Sequence, residues 1–160
     1  MPGNSYFGTA VIICALACST PAAAQTARTR DTDFRISDIQ ARLLYEETGI
    51  LSPDITTDRA FVGWNTIIGE GSAEENANDL LVTVTIRGPR QHNLSTALVI
   101  TARDEKGAVI ATRRIPRMLA EQRTHRSIIL YDVGCRGRIR LSAQLGKSRQ
   151  AEEVELNCGE

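Results

Sequence analysis

Apolar and polar side chains alternate with a period of two in the clearest segment of the chain, residues 79 to 87. The apolar positions are Leu80, Val82, Val84 and Ile86. β-Branched residues dominate the segment, and Asn78-Asp79 and Gly88-Pro89 bound it. This pattern is typical of a β-strand with one buried face and one solvated face. We therefore predict a strand here and expect the rest of the fold to pack against it.

A weaker alternation precedes it in residues 34 to 47. Read as a strand, this segment turns one apolar set toward the core: Ile39, Ala41, Leu43 and Tyr45. A helix is the competing interpretation, because Ile36, Ile39 and Leu43 also fit a helical stripe. The sequence favours the strand, and the helix remains the alternative prediction.

Two further strands follow residue 93. Leu94, Leu98, Ile100 and Ala102 share one predicted face, and residues 108 to 115 form the returning strand. Between them, residues 104 to 107 end in Gly107, which supplies the left-handed residue that a tight hairpin needs. Residues 116 to 124 are predicted to cross between sheets. Residues 126 to 133 are apolar on both faces, which predicts a central strand.

The last predicted hairpin brings two cysteines together. Ile139, Leu141, Ala143 and Leu145 alternate with polar residues up to a turn at Gly146-Lys147. With that turn at the centre, Cys135 faces Cys158 across the hairpin, which predicts a disulfide stabilising the fold by about 3 kcal/mol. A longer loop from Gly146 to Gln150 is the alternative and would shift this register.

Seven or eight short strands with hairpin connections predict an all-β fold, an antiparallel immunoglobulin-like β-sandwich over residues 34–160, with a small barrel as the alternative. The chain of 160 residues with 42% apolar content suits one domain. Residues 25–33 are polar and are predicted to be a flexible lead into it.

The first 24 residues have the features of an export signal. An apolar run from Phe7 to Cys18 is too short to span a membrane, and the small residues Ala22 and Ala24 suit a signal peptidase. We predict cleavage after Ala24, no transmembrane segment in the mature chain, and a periplasmic or secreted protein. Lipidation of Cys18 is a second interpretation.

Composition and the absence of known motifs argue against several classes of function. A formal net charge of zero argues against nucleic-acid binding driven by bulk charge, and only two histidines, His92 and His125, are present. No nucleophile elbow, phosphate-binding loop or dinucleotide motif occurs, so we predict a protein that is not an enzyme and carries no cofactor. A hydrolase using His92 or His125 is retained as an alternative hypothesis.

Two other features admit both a structural and a functional interpretation. Trp64, the single tryptophan, is either a core residue or a partly exposed anchor for a partner. The acidic loop at residues 70 to 79 lacks the spacing of a calcium loop, so no metal is predicted. As part of the segment Gly69–Asp79 it is also the candidate contact of a small secreted enzyme inhibitor, our first alternative hypothesis.

Arginines are concentrated between residues 113 and 140. The predicted binding residues are Arg113, Arg114, Arg117, Arg126, Arg138 and Arg140, together with Trp64. A basic strand face of this kind suits an envelope or extracellular protein, an anionic glycan or a lipid headgroup. The sequence therefore predicts an exported, non-catalytic binding or accessory module of the bacterial envelope.

Overall fold

A computed structural model describes residues 28–58, 61 and 71–156. The predicted signal peptide, Trp64 and Cys158 lie outside these residues. Within them, the strands are β1 (Arg35–Leu44), β2 (Asp79–Arg87), β3 (His92–Leu94), β4 (Leu98–Arg103), β5 (Val109–Ile115), β6 (Met118–Ala120), β7 (Arg123–Leu130), β8 (Gly137–Leu145) and β9 (Ser148–Leu156). Short 3₁₀ turns form at Asp31–Asp33 and Ile55–Thr57.

The strands form three antiparallel sheets. The first sheet has the order β1-β2-β7, the second sheet has the order β5-β4-β8-β9, and β3 pairs with β6 in a small ribbon. The all-β prediction is confirmed, whereas the barrel alternative is wrong because no sheet closes on itself in the described part of the chain. No helix among the same residues has the length and apolar character needed to cross a membrane.

The central strand β2 follows the alternation read from the sequence. Its four apolar side chains, Leu80, Val82, Val84 and Ile86, are fully buried. They pack with Leu98, Ile100, Ile139 and Leu141 of the second sheet in one hydrophobic core. The opposite face of β2 is less exposed than predicted, because Thr85 is only 2% exposed.

Strand β1 resolves the choice between strand and helix. Ile39, Ala41, Leu43 and Tyr45 are buried as predicted for a strand. A register shift lies between Ile36 and Asp38. The extra residue turns Ile36 to the core side together with Ile39. This bulge explains why the segment also fits a helical stripe.

Strand β7 is an edge strand, so the prediction that residues 126–133 form a central strand is wrong. Its second apolar face is exposed to solvent, with Ile129 42% exposed. Arginine side chains donate to two of its backbone carbonyls, from Arg113 to Ser127 and from Arg126 to His125. These contacts satisfy edge groups that a neighbouring strand would otherwise pair.

Both predicted hairpins are present. Gly107 adopts φ of 80° between β4 and β5, and the Asp104 carboxylate accepts hydrogen bonds from the backbone N–H groups of Lys106 and Ala108. Strands β8 and β9 pair without irregularity from Leu145 opposite Ser148 to Gly137 opposite Leu156. The turn is therefore Gly146-Lys147, and the longer loop from Gly146 to Gln150 is wrong.

Cys135 lies two residues before the last of these pairs, in a turn where its φ is 56°. Because Cys158 is outside the described residues, the Cys135–Cys158 disulfide stays a prediction. Peptide mapping without reductant would test it.

Candidate functional site

The structure distributes the predicted binding arginines over three places. Arg114, Arg138 and Arg140 belong to the outer face of the second sheet. Arg113 and Arg126 lie where the edges of the two larger sheets approach each other. Arg117 lies between β5 and β6, beside a separate cleft that Ser95 and Met118 also line. These residues therefore do not form one basic face.

Arg138 and Arg140 face acidic residues. In the β8–β9 ladder Arg138 is paired with Glu155 and Arg140 with Glu153, while on its other side Arg140 is paired with Arg103 of β4. Directly opposed residues of an antiparallel pair lie close together, so opposite charges there stabilise the sheet. Arg138 and Arg140 each have an acidic neighbour across the β8–β9 ladder, which gives them a structural role.

Arg113 and Arg126 act within the fold. The Arg113 guanidinium donates to the Ser127 carbonyl, and the Arg126 guanidinium donates to the carbonyls of His125 and Leu119. Their charges are engaged with backbone oxygens and are poorly placed to bind a partner.

A different set of arginines lines up across the first sheet. Arg35 is paired with Arg87 in the β1–β2 ladder, and Arg87 with Arg123 in the β2–β7 ladder. We call Arg35, Arg87 and Arg123 the arginine row. All three side chains are exposed. In the described part of the chain, none of them forms an ion pair.

The arginine row is unfavourable for folding. Adjacent antiparallel strands place paired Cα atoms about 5 Å apart, so the outer members of the row are about 10 Å apart. Like charges directly opposite each other destabilise a sheet. In the described fold, the ladders pair no acidic residue with these three arginines, so their repulsion is not offset by a cross-strand partner.

A cleft of about 770 Å³ adjoins the row. Arg35 and Arg87 line it together with Arg28 and Arg90, and Asp33 is the acidic side chain in its wall. Gly88 forms part of the floor, where an added Cβ would lie 2.1 Å from the Phe34 ring. Arg123 lines a neighbouring cleft that shares Arg90. The positive charge therefore continues from the row into a concave surface.

The N-terminal wall of this cleft is held by Asp31. One carboxylate oxygen of Asp31 accepts hydrogen bonds from the backbone and hydroxyl groups of Ser95 and Thr96, at 2.7 to 2.9 Å. The other oxygen lies 3.0 Å from His92 Nε2. We predicted a flexible segment here, but from Asp31 onward the chain is an anchored turn.

Hydrogen bonding determines the charge state of Asp31. Burial alone would raise the pKa of this carboxyl, but the hydrogen bonds from Thr96, Ser95 and His92 outweigh burial and hold the pKa well below its usual range. Asp31 is therefore ionised at any physiological pH, and the anchor persists in mild acid.

The two histidines occupy different settings. His92 stacks on Phe34, with ring centroids 5.8 Å apart, and contacts Asp31. His125 is exposed, and its Nδ1 lies 3.1 Å from the Thr85 hydroxyl. A carboxylate–histidine pair and a hydroxyl–histidine pair are thus present at separate positions in the described structure, without being joined into one catalytic group.

The described part of the acidic loop, residues 71 to 79, is tied to the end of β1. Asn76 and Asn78 donate to the Glu46 carboxylate, and the Tyr45 hydroxyl accepts the Glu74 N–H. These contacts account for several of the loop's polar groups within the fold.

Sequence reasoning missed the arginine row because its members are distant along the chain. Each is the first or last residue of its strand: Arg35 begins β1, Arg87 ends β2 and Arg123 begins β7. Antiparallel pairing brings such ends together. The available signal was an arginine at a strand boundary on the polar face, but it required the order of the strands.

Comparison with known proteins gives no further direction. A scan against protein-family models finds no match, and a search of curated proteins finds no significant relative.

Proposed function

We propose that this chain is an exported, non-catalytic module that binds an anionic partner through the arginine row. The observation that carries the proposal is the pairing of Arg35 with Arg87 and of Arg87 with Arg123, with no ion-pair partner in the described fold. A bound anion would remove the repulsion within the row and gain several charge-assisted hydrogen bonds.

The cleft supports this interpretation. Arg28 and Arg90 extend the positive surface beyond the sheet, and the Arg90 side chain donates to the Thr29 hydroxyl. Asp31 fixes the segment that carries Arg28 and Thr29. A wall fixed in place loses less conformational freedom when a ligand binds, which favours affinity.

Three further observations support other parts of the proposal. The apolar run from Phe7 to Cys18 and the small residues at Ala22 and Ala24 support export. The two larger sheets that share a core are compatible with an immunoglobulin-like sandwich. The absence of a catalytic motif supports binding rather than chemistry. The anionic partner belongs to the bacterial envelope or its surroundings.

A charge-reversal experiment tests the proposal. Dextran sulfate is the probe, and its affinity is measured for the protein spanning residues 25–160 in low and high salt. The test variant is Arg87→Glu with Arg123→Glu. The control is Arg138→Glu with Arg140→Glu, which changes the net charge by the same amount.

We expect the Arg87/Arg123 variant to lose about tenfold or more in affinity at low salt, equivalent to roughly 1.4 kcal/mol. The Arg138/Arg140 control should stay within about twofold, because those arginines face glutamates. Equal losses in both variants would mean that bulk charge alone governs binding. Unchanged affinity in the Arg87/Arg123 variant would overturn the proposal.

A further inference from the structure

His125 borders the arginine row on the same exposed face. It lies two residues after Arg123 on β7, and its partner Thr85 lies two residues before Arg87 on β2. Residues two apart on a strand point to the same side and are separated by about 7 Å. The His125 imidazole therefore lies on the same face as the arginine row, next to Arg87 and Arg123.

One ring nitrogen of His125 is already engaged. Nδ1 lies 3.1 Å from the Thr85 hydroxyl, and Thr85 is only 2% exposed. Nε2 has no hydrogen-bond partner among the described residues. A buried hydroxyl thus orients an exposed ring and leaves its second nitrogen available to a ligand.

The charged groups around His125 are mostly basic. Arg87 and Arg123 share its face, and Arg126 on its own strand donates to the His125 carbonyl. From the second sheet, Arg113 donates to the Ser127 carbonyl. Asp38 of β1 is in the same row of the sheet, two strands away and about 10 Å from His125. An anion bound at the row would offset these positive charges and offer an acceptor to protonated imidazole.

We propose that His125 is a fourth contact of the anion site, and that it makes the affinity for a linear polyanion increase as the pH falls from 8 to 5.5. This inference rests on the proposed function. The four positions cover about 10 by 7 Å, which is wider than one sulfate or phosphate group. The ligand class is therefore a chain with at least two ionised groups.

The sign of the effect follows from histidine chemistry. Protonated imidazole contacts the anion better than neutral imidazole, so the affinity should be higher at pH 5.5 than at pH 8. Sulfate esters are the suitable probe because they stay ionised over this range. A phosphate monoester would itself gain charge above about pH 6 and oppose the effect.

The test measures dextran sulfate binding between pH 8 and 5.5. We expect the wild-type protein to bind about three- to fivefold more tightly at pH 5.5, as one added exposed charge contact allows. His125→Gln should show no increase in affinity between pH 8 and 5.5. His92→Gln, at the other of the two histidines, should keep the increase.

Several outcomes would overturn the inference. A pH dependence that survives His125→Gln, or one that disappears in His92→Gln, would assign it to another group. Inorganic sulfate binding as tightly as the polymer would contradict the ligand class. Failure of the proposed function is distinguishable, because the Arg87→Glu/Arg123→Glu variant would then bind as well as the wild type at every pH.

Discussion

The outer faces of the two larger sheets both carry exposed arginines on neighbouring strands, but the register gives those arginines different partners. On the second sheet, Arg138 and Arg140 are paired with Glu155 and Glu153 of β9, and Arg140 is also paired with Arg103 of β4. On the first sheet, Arg35, Arg87 and Arg123 are paired with one another. Arg138 and Arg140 therefore each have an acidic cross-strand neighbour, whereas the ladders of the first sheet pair no acidic residue with the arginine row.

This difference shows that a count of charges along the chain is a poor guide to a binding surface. Residues 113 to 140 are rich in arginine, yet several of these side chains face glutamates or donate to backbone carbonyls. The unbalanced charge forms from residues that are 52 and 36 positions apart, Arg35 with Arg87 and Arg87 with Arg123. The strand pairing therefore determines which charges on the surface lack an opposite neighbour.

The largest predicted effect on stability comes from Asp31→Ala. This substitution removes the carboxylate that anchors the cleft wall beside the first sheet. Four hydrogen bonds from Ser95 and Thr96 and the contact with His92 would be lost. Hydrogen bonds to a charged group contribute about 1.5–3 kcal/mol each and are not additive, so we expect a loss of about 3 kcal/mol in the free energy of unfolding. Urea denaturation at pH 7 measures it.

The same substitution should have a characteristic pH profile. The pKa of Asp31 is lowered in the folded state, so its contribution is present above the unfolded pKa of about 3.9 and is lost as the pH falls below that value. The difference between wild type and Asp31→Ala should be constant from pH 8 to 5 and shrink below about pH 4. A difference that is constant down to pH 2 would contradict this account of the anchor.

A smaller predicted effect compares the two sheets directly. Replacing an arginine by glutamate should change the free energy of unfolding in opposite directions on the two sheets. Arg87→Glu places a carboxylate between Arg35 and Arg123 and should stabilise the fold by about 0.5 kcal/mol at low salt. Arg138→Glu faces Glu155 and should destabilise by a similar amount. Thermal unfolding at low and high salt measures both, and high salt should reduce both effects. Effects of the same sign would show that cross-strand charge does not govern these positions.

Much of the fold could be predicted because local patterns determine it. The alternation in residues 79–87, the turn ending in Gly107 and the turn at Gly146-Lys147 each depend on neighbours along the chain. The bulge at Ser37 and the edge position of β7 could not be predicted. Both depend on which strands pair, and an exposed apolar residue such as Ile129 resembles a buried one in the sequence.

The candidate site was less predictable than the fold. Arg35 begins β1 and Arg87 ends the outer face of β2, so each alone resembles a solvated residue. Asp31 also looked like part of a flexible lead, because its partners Ser95 and Thr96 are more than 60 residues away. These residues come together only through contacts between distant parts of the chain.

The most direct test of the arginine row is an NMR titration that follows the arginine Nε–Hε signals while a short sulfated oligosaccharide is added. The account predicts that the signals of Arg35, Arg87 and Arg123 shift together and saturate at one ligand concentration, while those of Arg138 and Arg140 stay in place. Equal shifts of both sets, or shifts confined to Arg138 and Arg140, would contradict it.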